Sequence, residues 1–147
     1  MSSEPDRIAL APTDDSGRYV VLLHRWAEGQ SRRGGDHYDW MFETEGGLWT
    51  WATDDSLSSD RPAMIAATRL PDHRTEYLDY EGPVSGNRGT VSRVEAGRFR
   101  RQPSDPDRFE FVVSGGRSGE ILIYRTRSDD SSSGWRIEFR PTRVEAS

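Results

Sequence analysis

The sequence contains no cysteine and no lysine, and all 20 of its basic residues are arginine. Without cysteine, the chain has no thiolate nucleophile, no disulfide and no sulfur ligand for zinc. Without lysine, it forms neither a Schiff base nor a lysyl-nucleotide intermediate, and it has no P-loop lysine. Catalysis is therefore left to histidine, carboxylate, hydroxyl and arginine side chains, which suit a site with a hard or borderline metal ion.

The usual core residues are also few, since Leu, Ile, Val and Phe together number 26 of 147. Such a composition indicates disorder only when the net charge is high, and here the net charge is −5. The chain also has 15 aromatic residues, five of them Trp, and these provide large side chains for a core. We therefore expect a folded protein.

Long hydrophobic runs are absent as well. The longest spans only residues 19–23, and no signal-peptide pattern opens the sequence. We expect a cytoplasmic protein with no membrane contact. A length of 147 residues suits one domain, which we place at 18–140, between a flexible N-terminal tail at 1–17 and a C-terminal tail at 141–147.

Alternating apolar and polar residues predict β-strands along most of the chain. In the segment 37–43, Tyr38, Trp40 and Phe42 share one face, and the pattern returns at 48–52 after a glycine turn, so a β-hairpin is expected. Further strands are expected at 18–24, 64–70, 77–81, 90–96, 109–113, 120–126 and 135–139. Turn-forming residues separate these segments, which predicts an all-β sandwich or barrel.

One segment allows a second interpretation. Residues 61–68 are compatible with a short helix, because Pro62 suits the first turn of a helix. We expect at most this one short helix in the protein.

Charge is unevenly distributed along the sequence. Residues 1–60 contain five arginines and twelve acidic residues, whereas residues 84–127 contain nine arginines and five acidic residues. The arginine-rich part predicts either an ordinary solvated surface or a face that contacts phosphates.

The segment His37-Tyr38-Asp39 places an imidazole and a carboxylate on one face of a predicted strand, about 6.5 Å apart along the backbone. Two such side chains can converge on one cation, which would need at least one more protein ligand. The sequence has two other histidines, His24 and His73. The spacing alone leaves a metal site and an ordinary polar pair as alternatives.

Larger segments resemble a known family. HYDWMFETEGGLWTWA at 37–52 resembles the His-Tyr-Asp signature of the 3′-phosphoesterase domain of bacterial DNA ligase D. Four more segments resemble other parts of that family, and they follow the family's order. They are RYVVLLH at 18–24, LPDHRTEYLDYEG at 70–82, GNRGTV at 86–91 and GEILIYRTR…WRIEF at 119–139. The resemblance covers about residues 18–140, and it implies a small, mostly antiparallel β-barrel.

The resemblance also implies a site. The metal ligands would be His24, His37 and Asp39, holding manganese, or zinc or another divalent cation in its place. The implied reaction is hydrolysis at damaged 3′ ends of DNA, which removes a 3′-phosphate or a terminal ribonucleoside. His73 would act as an acid or as a phosphate ligand, and Tyr77 would donate a hydrogen bond to a phosphate oxygen. DNA 3′ ends, or another phosphate ester, and DNA-repair proteins are the implied partners.

Two arginines of the family pattern have no counterpart. Met41 stands at the first position, two residues after the aspartate, and Ile65 aligns with the second. Loss of such bidentate phosphate contacts weakens catalysis. Arg25, Arg69 and Arg74 lie close in sequence to the site histidines, and we consider them candidate replacements.

The stretch between the first two histidines, 26–36, is longer than the corresponding link in the family. Its residues Arg32 and Arg33 belong either to a lid that contacts phosphate or to a plain surface loop.

Two functional hypotheses follow. The first is a divergent metal-dependent phosphoesterase, which the predicted metal ligands and the neighbouring His73 and Tyr77 favour. The second is a non-catalytic metal-binding or nucleic-acid-binding module, which the missing arginines and the acidic composition favour.

Overall fold

A computed structural model describes residues 16–26, 35–86, 88–126 and 134–142. The strands in these ranges are β1 (Ser16–Arg25), β2 (His37–Glu43), β3 (Leu48–Thr53), β4 (Ala63–His73), β5 (Gly82–Pro83), β6 (Thr90–Gln102), β7 (Arg108–Gly115), β8 (Gly119–Arg125) and β9 (Trp135–Pro141). A single 3₁₀ turn, Thr75–Leu78, follows β4.

The strands form one antiparallel sheet that closes on itself. Its order is β1-β2-β3-β4-β9-β8-β7-β6-β5, and β1 also pairs with β6 over the full length of β1. Eight strands therefore make a closed barrel, and the two-residue β5 adds to an end of β6. Closure leaves the barrel strands without long unpaired edges. The predicted all-β barrel is confirmed.

The barrel interior is filled mainly by aromatic side chains. Residues from all eight barrel strands contribute to this core, among them Tyr19, Trp40, Phe42, Trp51, Phe99, Phe109, Phe111, Trp135 and Phe139. Two arginines lie over these rings: the Arg69 guanidinium carbon is 4.7 Å from the centre of the Trp51 ring, and that of Arg101 is 4.5 Å from the centre of the Phe109 ring. Aromatic area and cation–π contacts thus compensate for the shortage of aliphatic residues.

A buried ion pair anchors the loop after β3. The Arg117 guanidinium bonds both oxygens of Glu95, at 2.7 and 2.9 Å, and the Tyr19 hydroxyl donates to Glu95 at 2.7 Å. The same guanidinium donates to the carbonyl oxygens of Leu57 and Ser58, each at 2.9 Å. Because Arg117 is 5% exposed, this pair is a structural element of the core.

A second apolar cluster lies on the outer face of β1 and β2. Residues of β1 to β3 pack there against residues of β6 and of the segment between β4 and β6. The members of the cluster are Val20, Leu22, Met41, Leu48, Leu78, Val84 and Val91. We call residues 74–89 the crossover segment, since it passes over this outer face. The crossover segment brings residues after β4 against the strands that contain the first histidines.

One predicted strand is wrong, whereas the strand predicted at 64–70 is confirmed and the alternative helix at 61–68 is excluded. Residues 77–81 were expected to form a strand, but the 3₁₀ turn occupies this region, with backbone bonds from Tyr77 to Arg74 and from Asp79 to Glu76, both 3.1 Å. Residues 61–68 form no helix, because 63–67 alternate between the core and the outside and pair with β9. Pairing with neighbouring strands outweighs the helix propensity of this alanine-rich segment.

The domain limits differ slightly from those expected. Ser16 and Gly17 already belong to β1, and Pro141 still belongs to β9. Residues 1–15 and 143–147 of the two predicted tails lie outside the described residues. Within the described ranges, no helix has the length and apolar character that crossing a membrane requires.

Candidate metal centre and adjoining pocket

His24, His37 and Asp39 converge at one end of the β1–β2 pair. His24 and His37 are direct cross-strand partners, with ring centres 4.9 Å apart. Asp39 lies two residues after His37 on the same face of β2 and is paired with Leu22 of β1. One donor atom from each of the three side chains lies within 4.8 Å of the others. The structure therefore brings the three predicted metal ligands together on the outer face of the barrel.

Asp39 is the buried member of this group, with a side chain that is 3% exposed. Its Oδ1 lies 3.2 Å from His37 Nε2, and its Oδ2 lies 3.8 Å from His24 Nδ1. The first contact is ionic rather than a well-aligned hydrogen bond, and Asp39 Oδ1 has no hydrogen-bond partner among the described residues. A buried carboxylate oxygen in this state is unfavourable unless a cation neutralises it. Two imidazoles and one carboxylate fit a divalent ion such as manganese or zinc.

The titration of this group follows from its geometry. Burial raises the pKa of Asp39, but the imidazoles of His24 and His37 outweigh burial and hold that pKa below its ordinary value. The adjacent Asp39 carboxylate raises the pKa of His37, against a smaller opposing effect of burial. Asp39 is consequently ionised at neutral pH, the state in which a carboxylate binds a cation.

The backbone orients His24. Its Nε2 lies 2.5 Å from the carbonyl oxygen of Arg88, and because a carbonyl oxygen can only accept, Nε2 carries the proton. Nδ1 is then the nitrogen that faces Asp39 and the one available to a metal ion. The Trp26 indole stacks on the same imidazole at 5.0 Å. A backbone carbonyl on the distal nitrogen is a common way of holding a histidine ligand.

Gly89 allows this contact to form. Its φ is +87°, a conformation that favours glycine, and a Cβ at this position would lie 2.0 Å from the carbonyl oxygen of Arg25. The crossover segment can therefore approach β1 closely only with glycine here. That approach places the Arg88 carbonyl on His24.

A pocket of about 480 Å³ adjoins the three ligands, between the barrel and the crossover segment. His24, Asp39 and Met41 line it from the barrel side. On its other side are side chains from the end of β4 and from the crossover segment, including His73, Arg74, Tyr77, Ser85 and Arg88. Two of the predicted metal ligands, His24 and Asp39, thus meet the predicted phosphate-contacting pair around one cavity, whereas His37 lines a different pocket.

His73 and Tyr77 lie side by side in the pocket wall. Their rings are 5.9 Å apart in an edge-to-face arrangement, and His73 Nδ1 bonds the carbonyl oxygen of Pro71 at 2.9 Å. Nδ1 therefore carries the proton, and Nε2 is the nitrogen free for other partners. The Tyr77 hydroxyl forms no hydrogen bond within the part of the chain that the structure describes.

Of the three candidate replacement arginines, only Arg74 lines this pocket. Arg69 occupies the interior face of β4, where alternation directs it onto the core aromatic rings, and burial lowers its pKa. Arg25 is exposed at the end of β1 and is absent from the pocket wall. Arg32 and Arg33 lie outside the described residues.

Ile65 is not a pocket residue. It pairs with Ile137 and packs against the interior core, on the opposite face of the sheet from the metal ligands. Arg88, in contrast, lines the pocket although sequence reasoning missed it. The available signal was its place in GNRGTV, the glycine turn at 86–91.

Comparison with known proteins identifies a family for most of the chain. The family model described as the DNA Ligase D 3′-phosphoesterase domain matches residues 27–138. The chain is 31% identical over 134 residues to the "Multifunctional non-homologous end joining DNA repair protein LigD" of Mycobacterium tuberculosis, covering 86% of this chain. It is 28% identical over 108 residues to the "Multifunctional non-homologous end joining protein LigD" of Pseudomonas aeruginosa, covering 67% of this chain.

These relatives are much longer proteins. The matched region amounts to 17% of the mycobacterial protein and 13% of the Pseudomonas protein. The similarity therefore concerns one domain of a multifunctional protein.

Proposed function

Since the chain belongs to the DNA ligase D 3′-phosphoesterase domain family, we propose that it is a metal-dependent phosphoesterase that trims 3′ ends of DNA. Its substrates are ends that carry a 3′-phosphate or a terminal ribonucleoside, and its product is a 3′-hydroxyl. The observation that carries the proposal is the His24–His37–Asp39 cluster, two members of which, His24 and Asp39, share one pocket with His73 and Tyr77. We assign it to DNA repair, in keeping with the names of its relatives.

The proposed metal ligands are His24, His37 and Asp39, with manganese as the expected ion. When bound, a divalent cation polarises a phosphoryl oxygen and lowers the pKa of a bound water. Asp39 provides the negative charge of the site from a buried position. The Arg88 carbonyl holds His24 with Nδ1 directed toward the other ligands.

The proposed phosphate contacts come from the opposite wall. Because His73 Nδ1 is bonded to the Pro71 carbonyl, Nε2 is the nitrogen that faces a bound ester. There it either donates a proton to the ester or accepts one. The Tyr77 hydroxyl donates to a non-bridging oxygen. Arg74 adds positive charge at the pocket mouth, where its side chain is 76% exposed.

A second candidate function is a non-catalytic module that binds metal or nucleic acid. Met41 favours it, because this buried thioether lies in the pocket wall where the family pattern has an arginine. An apolar side chain offers no charge to a phosphate group.

The discriminating experiment uses 5′-labelled DNA strands that end in a 3′-phosphate or in one ribonucleotide. With manganese, the parent protein is expected to hydrolyse the 3′-phosphate to a 3′-hydroxyl, and to shorten the second strand by its ribonucleoside, leaving a 3′-phosphate that is hydrolysed in turn. His73→Ala and Tyr77→Phe are expected to slow both reactions by about 100-fold or more. Tyr124→Phe, far from the pocket on β8, is the matched control for Tyr77. Tight manganese binding without any conversion at high protein concentration would instead support the module.

A further inference from the structure

Relative to the family pattern, the pocket lacks one arginine and contains a different one. Met41 enters it from β2, where the family pattern has an arginine, while Arg88 enters it from the turn at the end of the crossover segment. We propose, on the basis of the proposed function, that the Arg88 guanidinium binds the substrate phosphate and replaces the missing arginine from the opposite wall.

The backbone of Arg88 is fixed beside the metal centre. Its carbonyl oxygen lies 2.5 Å from His24 Nε2, and the close approach at Gly89 holds this turn against β1. A side chain that starts from this position begins in the same pocket wall as His24 and Asp39. Because the turn is already ordered, binding does not have to order this loop.

The charge of Arg88 is uncompensated. Its guanidinium donates only to uncharged oxygens of Ser85, from Nε to the carbonyl at 2.7 Å and from Nη2 to the hydroxyl at 3.2 Å. Among the described residues it forms no ion pair. Both arginines of the wall are exposed, but Arg74 lies 3.8 Å from the Glu76 carboxylate, which partly compensates its charge. Arg88 is therefore the better-placed donor for an incoming anion.

The pocket requires such a donor. Asp39 and Asp72 both belong to its wall, so a phosphate group meets two carboxylates there. A guanidinium binds two phosphate oxygens through its planar fork, and charge-assisted bonds of this kind are about twice as strong as neutral ones. Arg88 thus favours a terminal phosphate over a terminal hydroxyl at the 3′ end.

Binding of DNA ends without turnover tests this assignment. Two 5′-fluorescent oligonucleotides of the same sequence, one with a 3′-phosphate and one with a 3′-hydroxyl, are titrated with protein in EDTA, and anisotropy gives both Kd values. The parent is expected to prefer the 3′-phosphate by about tenfold, as one charge-assisted contact predicts. In Arg88→Met this preference falls to less than about twofold, and Arg88→Lys keeps an intermediate preference because the charge remains but the fork is lost.

Two controls separate a local effect from damage to the fold. Arg98→Met removes an exposed arginine on β6 and keeps the parent preference. Arg88→Met retains the backbone carbonyl on His24, so its manganese affinity, measured by quenching of tryptophan fluorescence, stays within about twofold of the parent.

The outcomes distinguish this inference from the proposed function. An unchanged 3′-phosphate preference in Arg88→Met overturns the role of Arg88, even where the parent trims DNA ends. A parent that binds both oligonucleotides equally also overturns it. A parent that shows the preference, loses it in Arg88→Met, and releases no phosphate with manganese supports the Arg88 assignment and refutes the phosphoesterase.

Discussion

The carbonyl oxygen of Arg88 lies 2.5 Å from Nε2 of His24, although the two residues are 64 positions apart. This contact joins the crossover segment to the first strand of the barrel. It orients a histidine of the candidate metal centre with a backbone atom, and it places Arg88 in the wall of the adjoining pocket. The turn that contains Gly89 therefore affects both metal affinity and phosphate binding.

Gly89→Ala is expected to lower both stability and metal affinity. A Cβ at this position would lie 2.0 Å from the Arg25 carbonyl oxygen, so the turn must move and release His24. We expect manganese affinity to fall by about tenfold or more, and stability by about 1–3 kcal/mol. Fluorescence titration and urea unfolding measure the two effects.

Gly86→Ala is the matched control, since its φ of +74° imposes similar backbone strain but its Cβ would meet only Arg88 Nε, at 3.7 Å. It should lose stability and keep metal affinity. Equal loss of affinity in both variants would show that general strain, rather than the carbonyl contact, is responsible.

Asp39→Asn is expected to reduce manganese affinity by about 100-fold or more, because it removes the anionic ligand of a buried site. Isothermal titration calorimetry measures this affinity directly. Asp60→Asn, which changes an exposed carboxylate in the loop after β3, should bind manganese as the parent does. Parent-like affinity in Asp39→Asn would place the ion elsewhere.

Asp39→Asn should also lower the pKa of His37 in the metal-free protein. The adjacent Asp39 carboxylate raises that pKa, and burial, which acts in the opposite direction, remains after the substitution. Because the folded pKa lies above the ordinary value of 6.5, the pair stabilises the metal-free fold below about pH 6.5, and this contribution disappears as the pH rises through the folded pKa.

NMR titration of the imidazole signals is the direct measurement of this shift. A His37 pKa that is the same in the parent and in Asp39→Asn would contradict the close contact between the His37 imidazole and the Asp39 carboxylate.

Arg117→Met is expected to destabilise the fold by about 3–5 kcal/mol, because it leaves the Glu95 carboxylate unpaired among core side chains. Chemical denaturation gives this value. Arg108→Met, which breaks an ion pair with Glu110 at the surface of β7, should cost no more than about 1 kcal/mol. Since the Arg117 network lies inside the barrel, manganese affinity of the folded Arg117→Met protein should match that of the parent.

Local alternation was enough to predict much of the barrel. In β2 the period of two places His37, Asp39 and Met41 on one face and the aromatic residues on the other, as the structure has them. Closure between β1 and β6 could not be predicted, because it depends on pairing over about 75 residues and on a register shift next to Val21. Such long-range pairing leaves no local signal.

The arginines show why sequence proximity misleads at the site. Arg69 is close to His73 in sequence, but strand alternation directs it into the barrel, onto the Trp51 ring. Arg88 is distant from His24 and Asp39 in sequence, and the crossover segment carries it to them. The irregular path of that segment, with its 3₁₀ turn and positive-φ glycines, has no periodic pattern from which to infer it.

The most direct test of the central claim is anomalous diffraction at the manganese edge, from crystals of the protein soaked in manganese chloride. We predict one strong peak within coordination distance of His24 Nδ1, His37 Nε2 and an Asp39 carboxylate oxygen, about 2–2.3 Å from each. A protein that trims 3′-phosphorylated DNA but shows no peak between these residues, or shows its peak elsewhere, would contradict the account.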